Sequence, residues 1–169
     1  MYAIVKDGAI TQTASTVKKL FPNTSFPSTP NTDFLTENNV KDVVNGEQKD
    51  RVYYFVSPGN LELVDGVPTQ KYTNTAKALN DVTENGETSR GLKTNMTNRV
   101  KINAGTLLAK TDWMVIRKYE RDVAIPSATA TYRAAVITEC ARLESAIAGA
   151  GDVDALATVM GAQNWPEEP

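Results

Sequence analysis

Hydrophobic and polar residues follow one pattern in the first half of the chain and another in the second. Up to about residue 87, short apolar runs are separated by turn-forming pairs, among them Asp7-Gly8 and Asp65-Gly66. Asp-Gly between two apolar runs is a strong hairpin signal. From about residue 88, apolar residues recur at helical spacing instead. The sequence therefore predicts an α+β protein, with a small antiparallel β-sheet domain at 1–87 and a C-terminal helical hairpin in a domain at 88–169.

The first half is predicted to hold a sheet of about five strands. One pair of strands surrounds Asp7-Gly8, and a three-stranded meander is expected at 51–56, 61–64 and 67–72, where aromatic and β-branched residues are frequent. Pro58-Gly59 is predicted to turn the chain between the first two strands of the meander.

The segments between these strands contain one predicted helix and one extended stretch. Thr36 is placed to cap a helix from residue 37 to 44. An extended stretch is predicted where three prolines fall close together, at Pro22, Pro27 and Pro30. Phe21 and Phe26 are expected to pin that stretch to the sheet.

The first long helix of the second half follows a polar stretch at 73–88, which is predicted to be a linker. Ser89 is the predicted N-cap. Leu107 and Leu108 lie in the last turns of this helix and must be buried, and Trp113 is placed to close over them. The predicted core of the hairpin is therefore Leu107, Leu108, Trp113 and Tyr132.

The second long helix follows a bend at Pro126, with Ser127 or Thr129 as its cap, and a Gly-Ala-Gly stretch ends it. Asp152 is predicted to cap a last short helix, which Gly161 ends.

An apolar stripe runs along the second long helix, at Tyr132, Val136, Cys140, Leu143 and Ile147. A stripe this narrow suits one partner helix, either the helix that ends at Trp113 or a copy from another chain. Trp165 either tucks into the chain's own core or docks on a partner. We therefore hypothesise a partner-binding surface formed by Val136, Leu143, Ile147 and Trp165.

Composition narrows the classes of function. A net charge of −2, from 18 basic and 20 acidic residues, offers no cationic field for nucleic acid. Histidine is absent and Cys140 is the only cysteine, which removes histidine-dependent catalysis and the commonest zinc ligands. Neither a membrane span nor a signal peptide is expected. No enzymatic activity, cofactor or metal is predicted, since Asp152 and Asp154 suit a helix cap better than a calcium loop.

One stretch of the second half resembles a known family. The heptamer LLAKTDW at 107–113, followed by Tyr132-Arg133, is similar to the C-terminal signature of tail-fibre assembly proteins and related tail assembly chaperones of tailed bacteriophages. The similarity covers roughly residues 99–136. After this signature the family usually keeps a short Leu-Arg-Asp ending, whereas this chain continues with a longer helix and Trp165.

The resemblance implies a protein that works by binding. It would be a chaperone or adaptor that binds the tail fibre in the host cytoplasm during assembly and can remain in the virion tail. The longer C-terminal helix and Trp165 favour an alternative, a structural virion protein of the baseplate or of the tail-fibre attachment site. The expected partner is a phage tail-fibre or baseplate protein, and the chain could also form a homo-oligomer.

Overall fold

The structure is a computed structural model that describes residues 1–26 and 31–169, and it divides into two compact units between Thr75 and Ala76. Antiparallel sheets in the first part are followed by helices in the second, so the predicted α+β class is confirmed. The boundary between the units falls earlier in the sequence than the predicted residue 87, because residues 82–89 form a hairpin that belongs to the helical unit. Within the two described ranges, no helix combines the length and apolar character needed to cross a bilayer.

The first sheet has the strand order β2-β1-β3, with every pair antiparallel. Its strands are β1 (Tyr2–Lys6), β2 (Ala9–Ala14) and β3 (Val40–Asp42). Asp7 and Gly8 have positive φ angles of 50° and 72°. Two successive positive φ angles define the turn that best matches the twist of a hairpin. The predicted strand pair around Asp7-Gly8 is thus confirmed.

The face of this sheet is covered by two short helices, α1 (Val17–Leu20) and α2 (Thr32–Glu37). Phe34 of α2 lies edge-on to Phe21 and Phe26, at ring-centroid distances of 5.1 and 5.0 Å. These rings pack on a buried core of Ile4, Val17 and Val40. The prediction that Phe21 and Phe26 hold their segment to the sheet is confirmed, while Pro27 and Pro30 lie outside the described residues.

The prediction of a helix from residue 37 to 44 is wrong. The helix α2 instead ends at Glu37, Asn39 takes a positive φ of 54°, and β3 is followed by β4 (Val44–Asn45). Val40, Val43 and Val44 of the predicted helix prefer extended backbone because they are branched at Cβ. Val40 pairs with Ile4 and is buried, so tertiary packing selects the strand.

The second sheet has the order β4-β6-β5, with long strands β5 (Tyr54–Val64) and β6 (Val67–Ala76). Asp65 and Gly66 join them with positive φ angles, as predicted, and β4 runs parallel to β6. The predicted turn at Pro58-Gly59 is wrong, because both residues lie inside β5. As β5 is at the edge of this sheet, a missing proline N–H is tolerated there. Two three-stranded sheets therefore replace the predicted sheet of five strands.

The helical unit opens with a small hairpin and continues with four helices. Its elements are β7 (Val82–Glu84), β8 (Glu87–Ser89), α3 (Leu92–Ala109), α4 (Asp112–Arg121), α5 (Ser127–Gly149) and α6 (Val153–Gly161). Asn85 and Gly86 form its turn with positive φ angles of 51° and 85°. The prediction of a linker at 73–88 is corrected, because β6 continues to Ala76 and this hairpin occupies most of the rest.

The start of α3 is held by backbone groups rather than by the predicted cap at Ser89. The N–H groups of Leu92 and Lys93 donate to the carbonyls of Ala78 and Leu79, at 2.9 and 3.0 Å. These contacts satisfy two of the donors that a helix start leaves unpaired. The chain can pass so close only because residue 91 is glycine: a Cβ there would lie 2.3 Å from the backbone of Asn80.

The helices α3 and α5 pack against each other, and α6 closes the core. Fully buried side chains at the centre are Val136, Leu143, Ile147 and Leu156. The helix α5 starts after Pro126 without the side-chain cap predicted from Ser127 or Thr129. The predicted ends of α5 and α6 are confirmed, and the carboxylate of Asp152 accepts a 2.7 Å hydrogen bond from the N–H of Ala155.

Replacing Asp152 by alanine should lower the free energy of unfolding by about 1 kcal/mol, because the cap of α6 loses its side-chain acceptor. Urea denaturation followed by circular dichroism measures this loss. The matched variant Asp152→Asn keeps an acceptor oxygen and should lie within a few tenths of a kcal/mol of the unmodified chain. Equal losses in both variants would contradict a capping role.

Candidate functional site

Residues 107–113 and Tyr132-Arg133, the two segments singled out in the sequence, meet at the end of α3. The guanidinium of Arg133 on α5 donates to the carbonyl of Leu108, to the hydroxyl of Thr111 and to the carboxylate of Asp112, at 2.9, 2.7 and 2.9 Å. The side chain of Arg133 is only 17% exposed, whereas that of Asp112 is 55% exposed. One arginine thus binds three groups in the turn between α3 and α4.

This contact has a clear physical cause. The last carbonyls of a helix lack partners within the helix and carry partial negative charge, so a cation placed there is stabilising. The hydroxyl of Thr111 completes the arrangement by donating to the carbonyl of Leu108 at 3.1 Å while it accepts from Arg133. Thr111 is buried, so this exchange leaves its hydroxyl satisfied. We call Leu108, Thr111, Asp112 and Arg133 the arginine clamp.

The apolar core beside the arginine clamp contains most of the residues predicted for it. Tyr132 is buried with Ala104 and Val136, and Leu107 and Leu108 pack against this cluster from its edge. The hydroxyl of Tyr132 reaches the carbonyl of Leu107 at 3.5 Å, the outer limit of a hydrogen bond.

The structure corrects the predicted place of Trp113 and selects one of the two places that the sequence allowed for Trp165. Trp113 does not close over Leu107 and Leu108, because it begins α4 and is 52% exposed. Trp165 packs against the cluster that contains Leu107, Leu108 and Tyr132, and its indole N–H donates to the side chain of Gln163 at 2.8 Å. The chain reverses between α5 and α6 and then continues along α5 towards its start, where Ala162 and Asn164 bond to Arg142 and Glu139. Sequence spacing could not show this path.

The predicted partner-binding surface is also corrected. Val136, Leu143 and Ile147 have no exposed surface, because α3 and α6 of the same unit cover this stripe of α5. Of the two partners that the sequence allowed, the structure therefore has the helix of the same chain. Those three side chains offer no free surface, and Trp165 is half-buried against the cluster of Ala104, Tyr132 and Val136.

The different exposure of the two tryptophans predicts different effects of their removal. Trp165→Ala should lower the free energy of unfolding by about 2 kcal/mol, because it opens the edge of the core. Trp113→Ala should cost less than about 1 kcal/mol, since it loses mainly surface contacts. Urea denaturation measures the loss of stability in both variants. Acrylamide quenching of the fluorescence of the remaining indole in each variant reports how exposed that indole is. Similar losses in the two variants would show that Trp113 also belongs to the core.

The segment after α6 is fixed to α5 through a buried carboxylate. Glu139 accepts two hydrogen bonds from Arg142, both at 2.7 Å, and a third from the backbone N–H of Asn164, also at 2.7 Å. Arg142 in turn donates to the carbonyl of Ala162 at 2.9 Å. The bond to Arg142 is the main reason why the pKa of Glu139 lies below its ordinary value, with a smaller contribution from Asn164.

The lowered pKa of Glu139 predicts a pH dependence. An unfolded glutamate takes up a proton near pH 4.3, whereas the folded carboxylate keeps its charge to lower pH. The stabilisation from Glu139 is thus complete above that range and is lost as the pH falls through the folded pKa. Between pH 6 and pH 3, Glu139→Gln should reduce the slope of unfolding free energy against pH. Glu120→Gln, a change on an exposed helix, should keep the original slope, and equal slopes in all three proteins would exclude this role.

The remaining candidates for chemistry are weak. Burial raises the pKa of the Cys140 thiol, and a contact with Glu144 at 3.4 Å adds to the effect, so the reactive thiolate is disfavoured. Among residues 1–26 and 31–169, no group of three or more histidine, cysteine or acidic residues could hold a metal ion.

The helix α4 is the most exposed of the four helices of the unit and contains no buried residue. Trp113 and Ile116 are 52% and 56% exposed, and they line a shallow groove of about 370 Å³ with Arg117, Glu120 and Arg121. The guanidinium of Arg117 lies over the Trp113 ring, 4.9 Å from its centroid. We call these five residues the α4 groove. The run at 114–121 is apolar first and charged afterwards, a pattern that does not show whether it stays uncovered.

Comparison with known proteins gave no match to any family model, curated protein or solved structure.

Proposed function

We propose that this chain is a tail-fibre assembly chaperone or adaptor of a tailed bacteriophage, which binds the tail fibre and can remain in the virion. The supporting observation is the arginine clamp. The segments that carry the resemblance, residues 107–113 and 132–133, lie about twenty residues apart in sequence and form one hydrogen-bonded arrangement. A signature that builds a single structural unit is more informative than two unrelated matches.

The proposed mechanism is binding without chemistry. The arginine clamp joins the end of α3 to α5 and fixes the point at which α4 begins. The helix α4 leaves this junction with its apolar side chains in solvent, as expected for a surface that another protein covers. Assembly would take place in the host cytoplasm, with a fibre or baseplate protein as the partner.

One observation favours the alternative, a structural virion protein of the baseplate or tail-fibre attachment site. The helix α6 and the segment after it are held by Glu139 and Trp165, so the extension beyond the signature forms a fixed part of the unit. A protein that only masks a fibre transiently does not need this extension, whereas a permanent component gains rigidity from it.

Co-expression with the tail-fibre protein of the same phage tests the proposal. A complex that co-elutes in size-exclusion chromatography and raises the yield of soluble fibre is the expected result. Normal fibre assembly without this chain, together with no complex, would refute the proposal. Mass spectrometry of purified virions then separates the two roles, since a structural component occurs at a fixed copy number relative to the fibre and a transient chaperone is absent.

A further inference from the structure

We infer that the α4 groove binds an acidic segment of the partner protein, with a carboxylate against Arg117 and Arg121 and a neighbouring apolar side chain against Trp113 and Ile116. This inference names the surface through which the chain would bind the fibre. It rests on the proposed function for the identity of the partner. The α4 groove replaces the buried stripe at Val136, Leu143 and Ile147 as the contact site.

The electrostatics of α4 support this assignment. Arg117 and Arg121 stand one helical turn apart, where like charges repel by a few tenths of a kcal/mol. Neither forms an ion pair with the residues that the structure describes, whereas the nearby Lys118 pairs with Asp122. Glu120 lines the same groove and can compensate one arginine at most. The surface therefore keeps a positive charge that an incoming carboxylate would balance.

The position of Arg117 points to the same ligand. Its Nε atom is buried and has no hydrogen-bond partner among the described residues. Stacking on the Trp113 ring holds the guanidinium in place and adds a cation–π attraction. A guanidinium held in this way suits a carboxylate, which can accept two hydrogen bonds from its terminal nitrogens, Nη1 and Nη2.

The exposed apolar side chains define the second half of the ligand. Trp113 and Ile116 are each more than half exposed and lie beside the two arginines in the α4 groove. Tryptophan and arginine together are the residues most often found at the energetic centre of protein interfaces. A partner helix with a glutamate and a leucine about one turn apart would reach both parts of the groove.

Other occupants fit less well. A second copy joined by a two-fold axis would offer one Glu120 for the two arginines of each groove, so positive charge would remain unpaired in the contact. A membrane surface is disfavoured because the positive charge is confined to the α4 groove. Over residues 112–122 as a whole, Arg117, Lys118 and Arg121 are matched by an equal number of acidic residues, Asp112, Glu120 and Asp122. Adsorption to anionic lipid requires a net basic helix face.

Two matched synthetic peptides test the chemistry of the groove on the full chain. Each is a helix of about 12 residues with leucine one turn from either glutamate or glutamine. Titration followed by amide NMR should show shifts confined to residues 112–121, with at least about ten-fold weaker binding of the glutamine peptide. Arg117→Gln and Trp113→Ala should abolish the preference, while Tyr119→Ala, outside the groove, should keep it.

The alternative results are decisive. Equal affinity for both peptides, shifts located elsewhere, or no shift at about 1 mM peptide would overturn the inference. Self-association that Trp113→Ala removes would also overturn it, since a second copy would then be the occupant.

A separate measurement of fibre binding distinguishes the inference about the α4 groove from the proposed function. If the unmodified chain binds the glutamate peptide but not the fibre, the proposed function fails and the groove chemistry stands. If Trp113→Ala and Arg117→Gln bind the fibre as tightly as the unmodified chain, the groove is overturned and the function stands. The expected result is fibre binding that weakens at least about ten-fold in both variants and is unchanged in Tyr119→Ala.

Discussion

Replacing Leu143 by alanine is expected to destabilise the helical unit by about 3 to 5 kcal/mol. Leu143 has no exposed surface and lies at the centre of the packing between α3, α5 and α6. Removal of its isobutyl group loses the free energy of burying those atoms and leaves a cavity among rigid neighbours. A loss of this size is a large fraction of the total stability of a domain.

A matched control is available on the same helix. Ile137 is 57% exposed, so Ile137→Ala should change the free energy of unfolding by less than about 0.5 kcal/mol. Thermal unfolding followed by circular dichroism at 222 nm compares the two variants, and Leu143→Ala should melt more than about 10 °C lower. If Leu143→Ala instead folded normally and lost only the binding of a partner, Leu143 would belong to the partner-binding surface predicted from the sequence.

The second large effect is expected at the arginine clamp. Arg133→Met should cost about 2 to 3 kcal/mol, because the carbonyl of Leu108 and the hydroxyl of Thr111 each lose a charged donor. The contribution of the ion pair with Asp112 is small by comparison, since that carboxylate is mainly in solvent. Methionine preserves most of the apolar length of the side chain, so the loss reports chiefly on the hydrogen bonds.

Urea denaturation measures the cost, and amide hydrogen exchange locates it. Exchange in Arg133→Met should increase most at the end of α3 and the start of α4. Arg121→Met supplies the control, because Arg121 is exposed and has no ion pair within the described residues. If the two variants proved equally stable, the hydrogen bonds of the arginine clamp would make no measurable contribution to the free energy of unfolding.

The sequence predicted the features that depend on local chemistry. The hairpins at Asp7-Gly8 and Asp65-Gly66 are present because few other residue pairs accept two successive positive φ angles. The limits of α6 follow from Asp152 at its start and Gly161 at its end. The apolar face of α5 was also identified, because helical periodicity shows which side chains must leave water.

Features that depend on distant parts of the chain were not predictable. Periodicity identifies an apolar face but not the element that packs on it. The sequence therefore could not show whether the stripe at Val136 and Leu143 is covered by a helix of the same chain or of another. Trp165 reaches the hairpin core only because the segment after α6 continues along α5 towards its start, and Trp113 is exposed because a new helix starts there. Pro58-Gly59 suggested a turn, yet the long pairing of β5 with β6 overrides that local preference.

The same reasoning assigned one part of the candidate site and missed the other. The resemblance grouped residues 107–113 with Arg133, but only the structure shows that Arg133 binds three groups in that segment. No pattern in the sequence marked the α4 groove, because an exposed apolar residue and a buried one have the same spacing on a helix.

The topology of the two sheets has a consequence for folding. The hairpins that Asp7-Gly8, Asp65-Gly66 and Asn85-Gly86 close bring near neighbours together, a step that takes microseconds. Two pairings in the first unit connect distant segments instead: β1 with β3, and β4 with β6 in parallel. Loop closure must precede these contacts, which slows sheet formation. The helices of the second unit form through local hydrogen bonds, but the packing of α3 on α5 also joins distant segments, since Lys93 bonds to Ala148. Both units therefore need loop closure to complete their cores, and until then the first unit exposes unpaired strand edges.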